Sequence, residues 1–170
     1  GAGERARVLG TELAGLHHRV QVDDRVDVSF GRRVTDWELK GVPVRLEVGP
    51  RDLAEGNVTL VRRDTGEKQA VPLAEASTRA GMLVSEVQAS LLAEATRMRD
   101  DATVDVATVD EATEAAKSGW ARLPWSAVGE DGEDRLATAS VSVRCLQAAD
   151  GSLPGASQED DLVALVGRAY

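Results

Sequence analysis

The sequence predicts a mixed α/β fold in two parts, a mixed sheet with flanking helices over residues 1–73 and a small α+β domain over residues 74–170. Three observations predict it. Apolar residues near the start recur at helical spacing, those of residues 42–73 alternate along strands, and beyond residue 74 the helical period returns before a second run of strand patterns. Hydrophobic residues make up 42% of the 170, enough to fill a core, and aromatics only 3%, so that core is built from Val, Leu and Ala.

Each element follows from its own pattern. Val8, Leu9, Leu13 and Leu16 place an amphipathic helix over 3–18, with His17 and His18 as surface histidines pointing different ways. Residues 19–22 suit a short strand and 23–27 a polar connection. A second helix is expected from about 33 to 40, stopped by Gly41 just past its end. In 42–48, Val44, Leu46 and Val48 face one way and Arg45 and Glu47 the other, the pattern of a half-buried strand. Gly49-Pro50 is expected to turn the chain and present Arg51 and Asp52 at the strand end. Residues 57–62 and 68–73 pair as a hairpin across Asp64-Thr65-Gly66. Over 74–101, Met82, Leu83, Val87, Leu91, Leu92 and Ala95 share one face of a long helix. A further helix spans 109–117, and strands are expected over 120–125, 140–146 and 162–168. The acidic stretch 129–134 and the Gly-, Ser- and Pro-containing stretch 151–161 read as loops.

Charge narrows the function. The net charge of −9 argues against a general nucleic-acid binder, whose affinity comes from neutralising phosphates. Residues 1–73 are neutral, with 12 Lys and Arg against 12 Asp and Glu, whereas 74–170 carry 8 against 17 and supply the whole imbalance. A neutral half with interspersed charges can still read particular bases. No apolar run approaches the ~20 residues of a membrane span, and Glu4, Arg5 and Arg7 interrupt any signal-peptide pattern at the start. The single Cys145 excludes an internal disulfide and a Cys-based metal cluster. No phosphate-binding glycine loop is present, and Cys145, two adjacent histidines and scattered carboxylates form no nucleophile–base set. A cytoplasmic location is the expectation.

One stretch carries a family. Trp37 to Leu53 reads WELKGVPVRLEVGPRDL and Val61 to Lys68 reads VRRDTGEK. Together they resemble the anticodon-binding domain of prolyl-tRNA synthetases of the archaeal and eukaryotic type. Gly119 to Trp125 (GWARLPW), Ser142 to Gln147 (SVRCLQ) and the terminal Gly167-Arg168-Ala169-Tyr170 support the same family. The resemblance covers nearly the whole chain. It implies an anticodon-binding-type sheet with flanking helices over 1–73 and the family's C-terminal domain over 74–170. It also implies proline tRNA and the catalytic domain of the same enzyme as partners, and a homodimeric parent from which a fragment separates as a monomer. The class II catalytic motifs, and with them ATP and Mg²⁺ chemistry, belong upstream of this region in the family and are not found here.

Matched to the family's motif, Glu38, Arg45, Arg51, Asp52 and Lys68 fall where guanine-reading residues sit. The chemistry agrees. Guanine offers N7 and O6 acceptors to Arg or Lys, and N1 and N2 donors to Asp or Glu, all exposed in a single-stranded anticodon. From the pattern alone, Arg45 and Glu47 read as a solvated strand face, Glu38 to Lys40 as ordinary helix surface, Arg62-Arg63-Asp64 as a local ion network, and Trp37 as core rather than a stacking platform. Some relatives carry Lys at the Arg51 position, where hydrogen-bond geometry then differs.

Two departures from the family stand out, and one match at the chain's last residue. Many relatives hold a structural zinc through two cysteine pairs; Ser126 and Asp131 stand at the first pair and residues 151–161 replace the second, so the zinc is expected to be lost. The family's domain opens with a hydrophobic strand ahead of the helix that begins near Gly3, so a trimmed or incomplete start is expected. The terminal Tyr170 matches a residue that reaches back towards the family's catalytic domain, and reads otherwise as an ordinary last residue. Two other roles stay open: a docking scaffold that braces a catalytic domain, and a free-standing regulatory paralogue with weak RNA binding.

Overall fold

The computed structural model describes residues 1–155 and 161–169, and the chain divides into two compact units, Gly1–Ala93 and Glu94–Tyr170. The division falls inside a long helix whose first half packs on the first sheet.

The first unit is a three-stranded antiparallel sheet covered on one side by helices. Helix α1 (Ala2–Gly15) and helix α2 (Phe30–Leu39) precede strand β1 (Val44–Glu47); the short α3 (Pro50–Ala54) then leads to β2 (Asn57–Arg62) and β3 (Lys68–Pro72), and a single 3₁₀ turn enters α4 (Ala76–Asp101). The strand order is β1-β2-β3. Alternation sends Val58, Leu60 and Val71 inward, where they meet Leu9 and Leu13 of α1 and Ala76, Ala80 and Leu83 of α4. Burying such side chains stabilises the unit by about 1.5–3 kcal/mol each for the larger ones.

Four sequence expectations change here. Residues 19–22 form no strand; Val22 instead lies against α1, its Cγ2 2.7 Å from where a Cβ on Gly10 would stand, so only glycine fits there. The histidines lie beyond α1 rather than on it: His17 adopts a positive φ of 64° in the exit turn, and His18 rests on α4 beside Gly81. Helix α2 starts earlier than residue 33, because the Ser29 hydroxyl caps it by accepting from the Arg32 N–H. On α4 the expected apolar face is buried only at its beginning, with Leu83 and Val87 inside and Met82, Leu91 and Leu92 exposed.

The second unit carries the parallel pairing, in a four-stranded sheet of order β4-β5-β7-β6. Its strands are β4 (Thr103–Asp105), β5 (Trp120–Pro124), β6 (Val141–Gln147) and β7 (Val163–Arg168), with β4 parallel to β5 and the rest antiparallel. Helix α5 (Val109–Ala115) is closed at its start by a reciprocal capping box between Thr108 and Glu111. The stretch 129–134, expected as an acidic loop, is helical: it belongs to α6 (Trp125–Thr138), which kinks at Gly129. Val128, Gly132 and Leu136, four residues apart, form its buried stripe against the core of Val109, Ala112, Leu123 and Val166. The acidic residues between them face water.

Candidate nucleic-acid interface

The outer face of the first sheet is where charge collects. Antiparallel pairing sets Arg45, Val61 and Lys68 in one row across β1, β2 and β3, and Glu47, Thr59 and Ala70 in the next. Val61 is 5% exposed although it lies outside the clusters packed on α1 and α4; the aliphatic stems of its two row neighbours are long enough to cover it. The result is an apolar floor flanked by a guanidinium and an ammonium.

Two carboxylates join these cations. Arg45 donates from Nε to Glu47 Oε1 and from Nη1 to Glu38 Oε1, both at 2.9 Å. Lys68 Nζ lies 3.9 Å from Glu47 Oε2. The chain Glu38–Arg45–Glu47–Lys68 therefore alternates in sign and is neutral as a whole. Its members differ in exposure: the side chains of Glu47 and Arg45 are 17% and 22% exposed, those of Glu38 and Lys68 47% and 61%. Glu38 sits in the last turn of α2, where the helix dipole disfavours a negative charge. Its position serves the cluster and not the helix.

Arg51 and Asp52 lie on α3, which begins three residues after Glu47. Gly49 caps this helix with extended backbone and Pro50 takes its first position. Asp52 falls in the first turn, the end that favours a carboxylate, and its Oδ2 would stand 3.1 Å from a Cβ on Gly49. Glycine thus lets the carboxylate fold over the turn. The expected turn at Gly49-Pro50 is the entry to a helix, and Leu53 anchors that helix in the core beside Val58.

Of the residues singled out in the sequence, the structure joins Glu38, Arg45 and Lys68 through Glu47, and sets Arg51 and Asp52 on the element that follows β1. No contact links that pair to the four-membered chain among the described interactions. Tyr170 lies outside the described residues. The Arg62 expectation is met on the other face, where its guanidinium donates twice to Asp64, at 3.1 and 2.7 Å, and holds that carboxyl below its usual range.

Asp23 is the organising residue that sequence reasoning passed over as part of a polar connection. Its Oδ2 accepts from Trp37 Nε1 at 2.7 Å, and both its oxygens accept from Arg25. Its backbone carbonyl accepts from Arg33 Nη1 at 3.0 Å. The bonds from Arg25, followed by that from Trp37, hold the Asp23 carboxyl far below the ordinary aspartate range. Trp37 and Arg33 both belong to α2, so Asp23 fixes the helix that carries Glu38. Trp37 is accordingly half-buried and not core, with the Lys40 ammonium 4.2 Å from its ring centroid. Only the charge cluster 23–27 hinted at this in the sequence. A shallow depression of about 340 Å³ opens between Asp23, Arg25, Trp37 and Lys40.

The sequence sets Ser126 and Asp131 at two of the family's zinc positions. Ser126 and Asp131 stand on either side of the Gly129 kink in α6, Cys145 is exposed on β6, and part of 151–161 lies outside the described residues. Among the described residues no three His, Cys, Asp or Glu side chains converge. Among the described residues no helix is long and apolar enough to cross a membrane.

Comparison with known proteins places the interface in context. Residues 2–80 match the anticodon binding domain family. The chain is 59% identical to a proline–tRNA ligase of Frankia casuarinae and 58% identical to that of Frankia alni, in each case over 98% of this chain and 36% of the relative. It is 52% identical to proline–tRNA ligase 2 of Streptomyces avermitilis over the same shares. The chain thus spans about a third of the length of the curated relatives it matches.

Proposed function

Residues 2–80 belong to the anticodon binding domain family and the chain is similar to proline–tRNA ligases along nearly its whole length, and on that premise we propose that it recognises the anticodon of proline tRNA as the C-terminal part of such a ligase. The observation that carries the reading is the charge chain on the outer sheet face, which sets acceptors and donors side by side on a half-buried platform. Glu38 and Asp52 accept from guanine N1 and N2; Arg51, Lys68 and Arg45 donate to O6, N7 or phosphate. Arg45 uses Nε and Nη1 within the protein, which leaves Nη2 for a base. Anticodon bases are single-stranded and present all these edges, and each good contact contributes about 1–3 kcal/mol of discrimination.

Aminoacylation itself, with ATP and Mg²⁺, is assigned to a catalytic domain in the remainder of a longer, homodimeric cytoplasmic enzyme, and Tyr170 to a reach towards that domain. The second unit serves without zinc, held by packing around Leu123, Leu136 and Val166.

A binding titration tests this. The chain is titrated with proline tRNA and with the same tRNA carrying adenines in place of both anticodon guanines, at two salt concentrations. Tighter binding of the guanine-bearing tRNA that persists at the higher salt is the expected result. Equal binding of the two would remove base reading from this chain and leave a docking role beside the catalytic domain.

A further inference from the structure

We infer that Glu47, which no comparison singles out, is a positioning residue: it holds Arg45, and steers Lys68 by its charge, in the poses from which they read a guanine. The inference rests on the anticodon reading above and deepens it.

The argument starts from how Glu47 divides its two oxygens. Oε1 accepts from Arg45 Nε at 2.9 Å, and Oε2 faces Lys68 Nζ at 3.9 Å. A single carboxylate therefore addresses both cations that flank Val61, one on β1 and one on β3. Glu47 lies at the end of β1, opposite Thr59 on the central strand, so its backbone is fixed by ladder hydrogen bonds. Arg45 loses rotamer freedom to this short, anchored partner, and Lys68, 61% exposed and at ion-pair distance only, is steered by its charge. That is the arrangement in which little ordering remains to be done when a ligand arrives.

The two carboxylates on Arg45 are not equivalent. Glu38 is the more exposed, at 47%, and comes from a helix end that disfavours it; Glu47 is 17% exposed and comes from within the sheet. Water and a guanine N1–N2 edge compete readily for Glu38. Displacing Glu47 would strand a half-buried charge, which is costly. On binding, Glu38 is thus the partner that exchanges Arg45 for the base, while Glu47 keeps Arg45 in place. Glu38 touches the base and Glu47 does not.

Glu47→Gln separates this from a bland role by sign. A carboxylate that merely neighbours the interface repels RNA, so removing its charge should strengthen binding to every tRNA alike. A positioning carboxylate behaves oppositely: E47Q should lower the preference for the guanine-bearing tRNA over its adenine counterpart by about tenfold, the scale of one directed base contact. E47D, which keeps the charge on a shorter arm, should recover part of that preference. The titration is run on the whole chain with the two tRNAs named above, with an urea melt to establish folding. The NMR signal of the Arg45 Nε–H supplies an independent readout, because it should lose protection from exchange in E47Q and keep it in Glu38→Gln. Wild-type preference in a folded E47Q, or an Arg45 Nε–H unchanged by E47Q, overturns the positioning role while leaving anticodon reading intact. A wild-type chain with no guanine preference overturns the underlying reading itself.

Discussion

Asp23→Ala tests whether the proposed anticodon face depends on a residue that never touches it. The substitution removes the acceptor for Trp37 Nε1, now bonded at 2.7 Å to a side chain only 13% exposed. A hydrogen bond to a charged partner contributes about 1.5–3 kcal/mol, and losing it leaves the indole N–H of a half-buried ring without its acceptor. The bonds from Arg25 contribute little to this loss, because that guanidinium is exposed and screened. The expected loss is about 2 kcal/mol, which lowers the melting temperature of a unit of this size by about 10 °C. Urea denaturation measures it, and the indole N–H signal of Trp37, one of three tryptophans, reports the local change. Because Trp37 precedes Glu38 on α2, the guanine preference should fall as well. A loss below about 0.5 kcal/mol, the size of an ordinary surface substitution, would refute the anchoring argument.

The same residue gives a pH test with a defined sign. The folded state holds the Asp23 carboxyl below its ordinary 3.8, so the unfolded chain binds its proton first as pH falls. Asp23 therefore contributes stability that is complete above about pH 5 and is lost progressively as the pH drops through 4 and below. Asn at this position keeps an oxygen for Trp37 but has no proton to take up. Its acid limb should be flatter than that of the wild type between pH 4 and 2, and parallel limbs would refute the assignment.

Two further predictions concern the interface. Asp52→Ala should relax base choice, lowering the preference for guanine by about fivefold or more, with little change in stability because Asp52 has no partner in the core; an unchanged preference removes it from the reading set. Lys68→Ala should weaken binding of both tRNAs and reduce the slope of log affinity against log salt by about 0.7–0.9 if the ammonium meets a phosphate. An unaltered slope with a reduced preference would mean that it reads a base instead.

How much of this was legible beforehand depended on what each feature needs. The strands over 42–48, 57–62 and 68–73 were readable because one buried face imposes a period of two, and Val44, Leu46, Val58, Leu60 and Val71 obey it. Helix α6 was not, because its stripe of Val128, Gly132 and Leu136 includes a glycine and sits among acids that raise the local polarity. The glycine is there for packing: a Cβ at Gly132 would stand 3.1 Å from Val128 and 3.2 Å from Val109. Strand β4 escaped notice because three residues carry no measurable period, and its parallel pairing to β5 is a tertiary fact. Likewise, Glu38, Arg45 and Lys68 could be picked out by residue type and family motif, but their connection through Glu47 depends on register, which a sequence read one residue at a time does not display.

Asp23 illustrates the same limit and explains why the interface can work in an acidic chain. A net charge of −9 argues against holding RNA chiefly by bulk Coulomb attraction. What remains is recognition by directed bonds, whose strength depends on how little must be reordered on contact. The structure meets that condition through contacts invisible to composition: Asp23 fixes α2 and hence Glu38, the β-ladder fixes Glu47, and Glu47 faces the two cations beside Val61. Each cation in the cluster faces a carboxylate of its own fold, so the cluster gains from a ligand only where the ligand replaces those bonds with equally good ones. A phosphate can replace a carboxylate as an acceptor for Arg45, but it cannot supply the donors that a released Glu38 requires. A guanine supplies both, so under the proposed reading discrimination follows from the neutrality of the cluster rather than in spite of it.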